Sequence, residues 1–169
     1  MRPSRFGLER NENVKFTRFI HWVDSKCTNH LVGRVSLVSN GSYNKWFIEY
    51  YGDCLNELKQ TDDFIMLPGF DHRNNDKSLV LEYPFNFTPH FISQRVVSPK
   101  RKDMDSILET FGMTSYSDEE YLDKTHGVCV ENKFFISDKE DASDFYNWYL
   151  HYWMQPEGYK MTEEEFRRR

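Results

Sequence analysis

The chain has 169 residues, a formal charge of −5 and a mean hydropathy of −0.77, with 17% of its residues aromatic. That length suits one domain and is enough to bury roughly 70% of the unfolded chain's surface. The longest apolar runs, Phe64 to Leu67 and Phe134 to Ile136, are far shorter than a membrane span, and the net acidity withholds the whole-molecule positive field of a general nucleic-acid binder.

Residues 1–13 are polar and aperiodic, which predicts a flexible arm. The start is basic, with Arg2 and Arg5, but has no apolar stretch behind it, so no secretory signal is expected. The three cysteines Cys27, Cys54 and Cys129 are then expected as reduced thiols in a cytoplasmic protein. The sequons at Asn40 and Asn86 read as chance matches. Val14 to Val23 predicts a strand with Phe16, Ile20 and Trp22 on one face and Phe19, His21 and Val23 on the other, covered on both sides. The β-rich runs Leu31 to Val38 and Tyr43 to Tyr51 flank Ser39-Asn40-Gly41-Ser42, and Asn-Gly accepts positive φ at both central turn positions, so a tight hairpin over about 31–51 follows.

Asp53 is placed to cap a short helix through Gln60. Pro68-Gly69 and Asp71 to Asp76 predict an exposed loop. Leu79 to Tyr83 and Phe91 to Val97 read as strands, separated by Pro84 and Pro89. Asp103 is expected to cap a helix to Phe111, closed by Gly112. The capping box Ser117-Asp118-Glu119-Glu120 starts another helix, to Lys124. Val128 to Ile136 reads as a strand or hairpin. A second capping box, Ser137 to Glu140, predicts the longest helix, over about 138–154, and Thr162 starts a frayed turn. The order gives an α+β class with a mostly antiparallel sheet: an arm at 1–13, one domain at 14–156 and a charged tail at 157–169.

Candidate chemistry is sparse. His21, Cys27 and His30 lie close in sequence, with Cys54 or His72 to complete a set, but zinc sites show two tight ligand pairs and only one is here, so no metal is expected. Gly-x-Ser-x-Gly and phosphate-cradling glycine loops are absent, so neither catalytic residues nor a cofactor are expected. Glu131-Asn132-Lys133 with Asp118 or Asp123 has the composition of a Mg²⁺ nuclease site, with Asn132 at a turn that would splay the groups. The basic residues Arg2, Arg5 and Arg10, Lys100, Arg101 and Lys102, and Arg167, Arg168 and Arg169 form three clusters that could seat phosphate if they converged. The terminal aromatic helix carries two stripes. Phe145, Trp148, Tyr149 and Tyr152 face inward, while Tyr146, Leu150 and Trp153 form an outward stripe suited to a partner.

Four Trp, ten Tyr and fourteen Phe stand beside a single alanine, Ala142, a bias that fits an A/T-rich genome, a class that includes many viral ones. The function expected from these features is a non-enzymatic interaction protein, with a phage- or virus-encoded inhibitor or modulator of a host protein machine as the favoured example. Nucleic-acid binding, or a Mg²⁺ nuclease, is the alternative.

Overall fold

Between Val14 and Tyr50 the alternation of large side chains produces three long antiparallel strands. The structure, a computed structural model, describes residues 8–61, 64, 80–129, 131–156 and 158–168. β1 (Val14–Val23), β2 (Asn29–Ser39) and β3 (Asn44–Tyr50) form a meander. β4 (Val80–Glu82) adds to β3, and β5 (Phe134–Ser137) returns to β1. The sheet order is β4-β3-β2-β1-β5, and every pairing is antiparallel. With the helices that follow, the class is α+β.

Both faces of the sheet are covered, because successive side chains point to opposite sides. Phe16, Ile20, Trp22, Val35, Leu37, Trp46, Ile48, Phe134 and Ile136 build the larger core. It is sealed by Leu55 and Leu58 of α1 (Gly52–Leu58), Phe91 and Ile92 of α2 (His90–Ser93) and Leu122 of α4 (Asp118–Thr125). On the other face, Val23 and Phe135 pack with Ala142, Phe145, Trp148 and Tyr149 of the segment leading into and forming α5 (Ser143–Met154). α3 (Met104–Phe111) and α6 (Glu163–Arg167) have no buried residue, and α6 touches the second core only through half-buried Phe166. The second face also buries a cross-strand ion pair, Arg34 to Glu49 at 3.2 Å, at directly opposed positions of β2 and β3.

Several expectations change in the structure. The hairpin loop spans four residues, Asn40–Tyr43, and among them only Gly41 (φ +89°) takes the left-handed region. The Asn40 side chain explains this: its Oδ1 accepts from the N–H groups of Ser42 and Tyr43, holding a wider turn. The stretch from Phe91 is a helix, α2, in which Pro89 is the N-cap and its carbonyl accepts from Ile92 and Ser93 N–H. α1 begins at Gly52 with Tyr51 as its N-cap rather than Asp53. Asp103 is the N-cap of α3, but its carboxylate takes Arg101 instead of a backbone N–H.

Ser137 does not open the long helix. It is the last residue of β5, its Oγ accepts from Lys139 N–H, and α5 starts at Ser143 after Ala142. The strand expected from Val128 is confined to Phe134–Ser137. Ser117 caps α4 as expected, with Oγ accepting from Glu120 N–H at 3.2 Å, and Gly112 closes α3 at φ +66°.

At the ends, Leu8–Arg10 form a 3-10 turn with Leu8 buried. α6, capped by Thr162, packs on α5 through Phe166 and ties its Glu163 to His126 at 2.5 Å. Arg2, Arg5, Arg169 and the loop from Pro68 to Asp76, including His72, lie outside the described residues.

Candidate functional site

Three of the exposed large apolar side chains among the described residues, Tyr43, Phe85 and Phe87, lie where β3 begins and β4 ends. Pro84 and Pro89 bracket a short loop after β4, since neither can extend the ladder. Asn86 pins that loop to β3. Its N–H donates to the Asn44 carbonyl at 2.7 Å, its Oδ1 accepts from Asn44 N–H at 3.0 Å, and the backbone adopts φ +60° to make both bonds. The residues on either side are thereby turned outward. Phe85 meets the Tyr43 ring edge-to-face at 4.5 Å, and Phe87 lies parallel to Tyr83 at 5.9 Å. Tyr43, Phe85 and Phe87 are 42%, 57% and 50% exposed, so two ring pairs, Tyr43 with Phe85 and Tyr83 with Phe87, present apolar surface at this end of the sheet.

One cation stands within the patch. The Lys45 ammonium sits 4.6 Å from the Phe85 ring centre and 5.8 Å from Phe47, and also pairs with Glu82. Burial pushes the Tyr83 hydroxyl up to about 12, so the ring is uncharged across the physiological range. β4 is an edge of the sheet. Tyr83 N–H bonds inward to the Trp46 carbonyl, and peptide direction alternates along an antiparallel strand, so the peptide groups of exposed Glu82 face the open side. Ring faces, a cation and a strand edge that has no partner among the described residues therefore adjoin.

The outward stripe expected on α5 is half-buried. Tyr146, Leu150 and Trp153 all pack against the second core, and the Tyr146 hydroxyl donates to the Cys27 carbonyl in the β1–β2 turn. The Trp153 indole N–H lies beside the Tyr149 hydroxyl, and neither closes a hydrogen bond of good geometry. Phe145, Trp148 and Tyr149 are buried, Tyr149 fully, and the Trp148 N–H donates to the Met161 carbonyl at 3.2 Å.

Carboxylates already occupy half of the described residues of the three basic clusters. Arg101 is held by Asp103, Arg167 by Glu163 and Arg168 by Glu164. Arg10, Lys100 and Lys102 are exposed. Of the nuclease-like set, Asp123 is clamped by Arg18 through two 2.6 Å bonds, Asp118 accepts from the Tyr116 hydroxyl, and Asn132 sits in a turn where it binds Arg95. Among the described residues no three His, Cys, Asp or Glu side chains converge as a metal set. His30 is bonded instead to Asp24 at 2.7 Å, Cys27 is exposed, and His21 is buried with Nε2–H donating to the Lys139 carbonyl. Burial works against the Asp24 carboxylate, but the bonds from His30, Thr28 and Lys26 hold it below the usual range, so Asp24 is the ionised hub of the β1–β2 turn.

No family model, curated protein or solved structure matches this chain. Tyr43, Lys45, Phe85 and Phe87 do not stand out on periodicity, because the patch joins two loops distant in sequence. The available signal is Phe-Asn-Phe between two prolines, in which Asn is the residue suited to a left-handed backbone.

Proposed function

We propose that the protein is a non-enzymatic binding module that takes an extended segment of a partner protein along β4, with the partner's side chains seated on Tyr43, Phe85 and Phe87. The observation that carries this reading is the placement of three half-exposed aromatic rings beside β4, the edge strand of the sheet among the described residues. Strand addition supplies main-chain bonds, and rings beside the edge supply selectivity. The outward α5 stripe, Tyr146, Leu150 and Trp153, contributes a smaller share of contact, because each side chain is already half-buried. The A/T-leaning composition supports a virus-encoded modulator of a host machine as the setting.

The test is a photo-crosslinking amino acid placed at Phe85 and, separately, at Lys59, in cells that naturally express the protein. A discrete protein adduct from position 85, absent from 59 and lost in Tyr43→Ala/Phe87→Ala, is expected. Crosslinked nucleic acid would favour the alternative through the basic clusters. Adducts of equal yield from both positions would remove the patch as the contact surface.

A further inference from the structure

A second feature is independent of that patch and shares no residue with it. α4, α5 and the segment leading into α6 enclose a cleft of about 180 Å³, with the end of α3 at its rim. Phe111 and Tyr121 form one aromatic wall, ring to ring at 5.5 Å, and Trp148 and Tyr152 form another at 5.4 Å. Trp148 is locked by its bond to Met161, so its wall is fixed before any ligand arrives. The charge at the mouth is unbalanced. Lys124 and Lys160 both line the cleft, while the single carboxylate there, Glu163, is already engaged by His126 and Arg167 at 2.5 Å each. Lys160 donates to the Tyr152 and Gln155 carbonyls at the C-terminus of α5, which fixes its ammonium in place. Lys124 is exposed and has no ion pair among the described residues.

We infer that this cleft binds a small planar aromatic anion. Four aromatic rings line the cleft, which suits an aromatic ligand. The uncompensated ammonium of Lys124, with the remaining N–H of Lys160, selects a negative group attached to it. The volume sets the size: pockets for drug-sized ligands hold ~300–1,000 Å³, so this one takes a single ring and its anionic substituent, not a nucleotide.

The probe is phenyl phosphate, titrated into the full ¹⁵N-labelled chain while the Trp148 indole N–H signal is followed, assigned by its loss in Trp148→Phe. A saturable shift is expected. Phenol and inorganic phosphate, each presenting half of the ligand, should bind roughly tenfold more weakly or worse. Lys124→Gln, on an exposed side chain outside both cores, should fold normally and weaken phenyl phosphate roughly three- to tenfold. The inference is overturned if the Trp148 signal does not saturate, if phenol matches phenyl phosphate, or if Lys124→Gln binds as well as the wild type. Phe85→Ala leaves this titration unchanged, so its failure and the failure of the strand-edge reading are separable.

Discussion

Single residues carry two of the clearest consequences. His21 is buried, stacked 4.9 Å from Phe135, and its Nδ1 finds no hydrogen-bond partner among the described residues. Burial is the dominant cause that lowers its pKa to about 4, with the Lys139 carbonyl, Asn29 and Asp141 pulling the other way. The unfolded chain binds this proton near pH 6.5 and the folded chain only near 4. Stability is therefore undiminished above about 6.5 and falls as pH drops to about 4, by on the order of 3 kcal/mol. Urea midpoints at pH 7 and pH 4.5 should separate clearly in the wild type, and His21→Met should close much of that gap. The two tryptophans of α5 form a second contrast. Trp148→Ala should cost roughly 3–5 kcal/mol, as other large core truncations do. Trp153→Ala, half-buried and edge-on to Tyr149 at 6.1 Å, should cost only about 1–2 kcal/mol. Thermal melts decide it: equal losses would mean α5 is fully enclosed.

At the scale of elements, β2 and β3 approach so closely at Gly33 that an added Cβ would lie 1.9 Å from the Glu49 carbonyl oxygen. Backbone offers no flexible end to move aside, so Gly33→Ala should cost on the order of 3 kcal/mol, whereas Gly112→Ala, with open space but φ +66°, should cost about 1–2 kcal/mol. Chemical denaturation of both variants gives the ranking, and a milder Gly33→Ala would contradict it. This contrast also marks what is legible in sequence. The meander is readable because Val14 to Tyr50 keeps a period of two over long runs, and α4 because Ser117 and Glu120 satisfy its first turn locally. β5 and the start of α5 are not, since Ser137 obeys the capping pattern yet is claimed by pairing with Phe19 of β1. α2 is hidden for a related reason: Phe91 and Ile92 suit either state, and burial under the sheet decides. The aromatic patch depends on Asn86 reaching Asn44, a contact that no local period encodes.

For the whole molecule, the exposed rings predict a separation of binding from folding. Tyr43→Ala/Phe85→Ala/Phe87→Ala removes side chains that lie largely outside both cores, so its melting temperature should stay within a few degrees of the wild type. Its retention on a hydrophobic-interaction column should fall markedly. A collapse in melting temperature would make the rings part of the fold's support instead.

The sheet order has a further consequence, in time rather than space. β1, β2 and β3 pair with sequence neighbours, whereas β1 receives β5 only after the chain has run from Val23 to Phe134. At ~5–20 residues per second, a ribosome takes on the order of ten seconds to deliver that strand. Throughout that interval the nascent meander presents the outer flank of β1, with Phe19 and His21 not yet covered. Local pairings form first and the distant one last, so substitutions in the β2–β3 hairpin should slow refolding, while Phe135→Leu should chiefly speed unfolding. The strand that completes the architecture is thus the one that ends its period of vulnerability to misassociation.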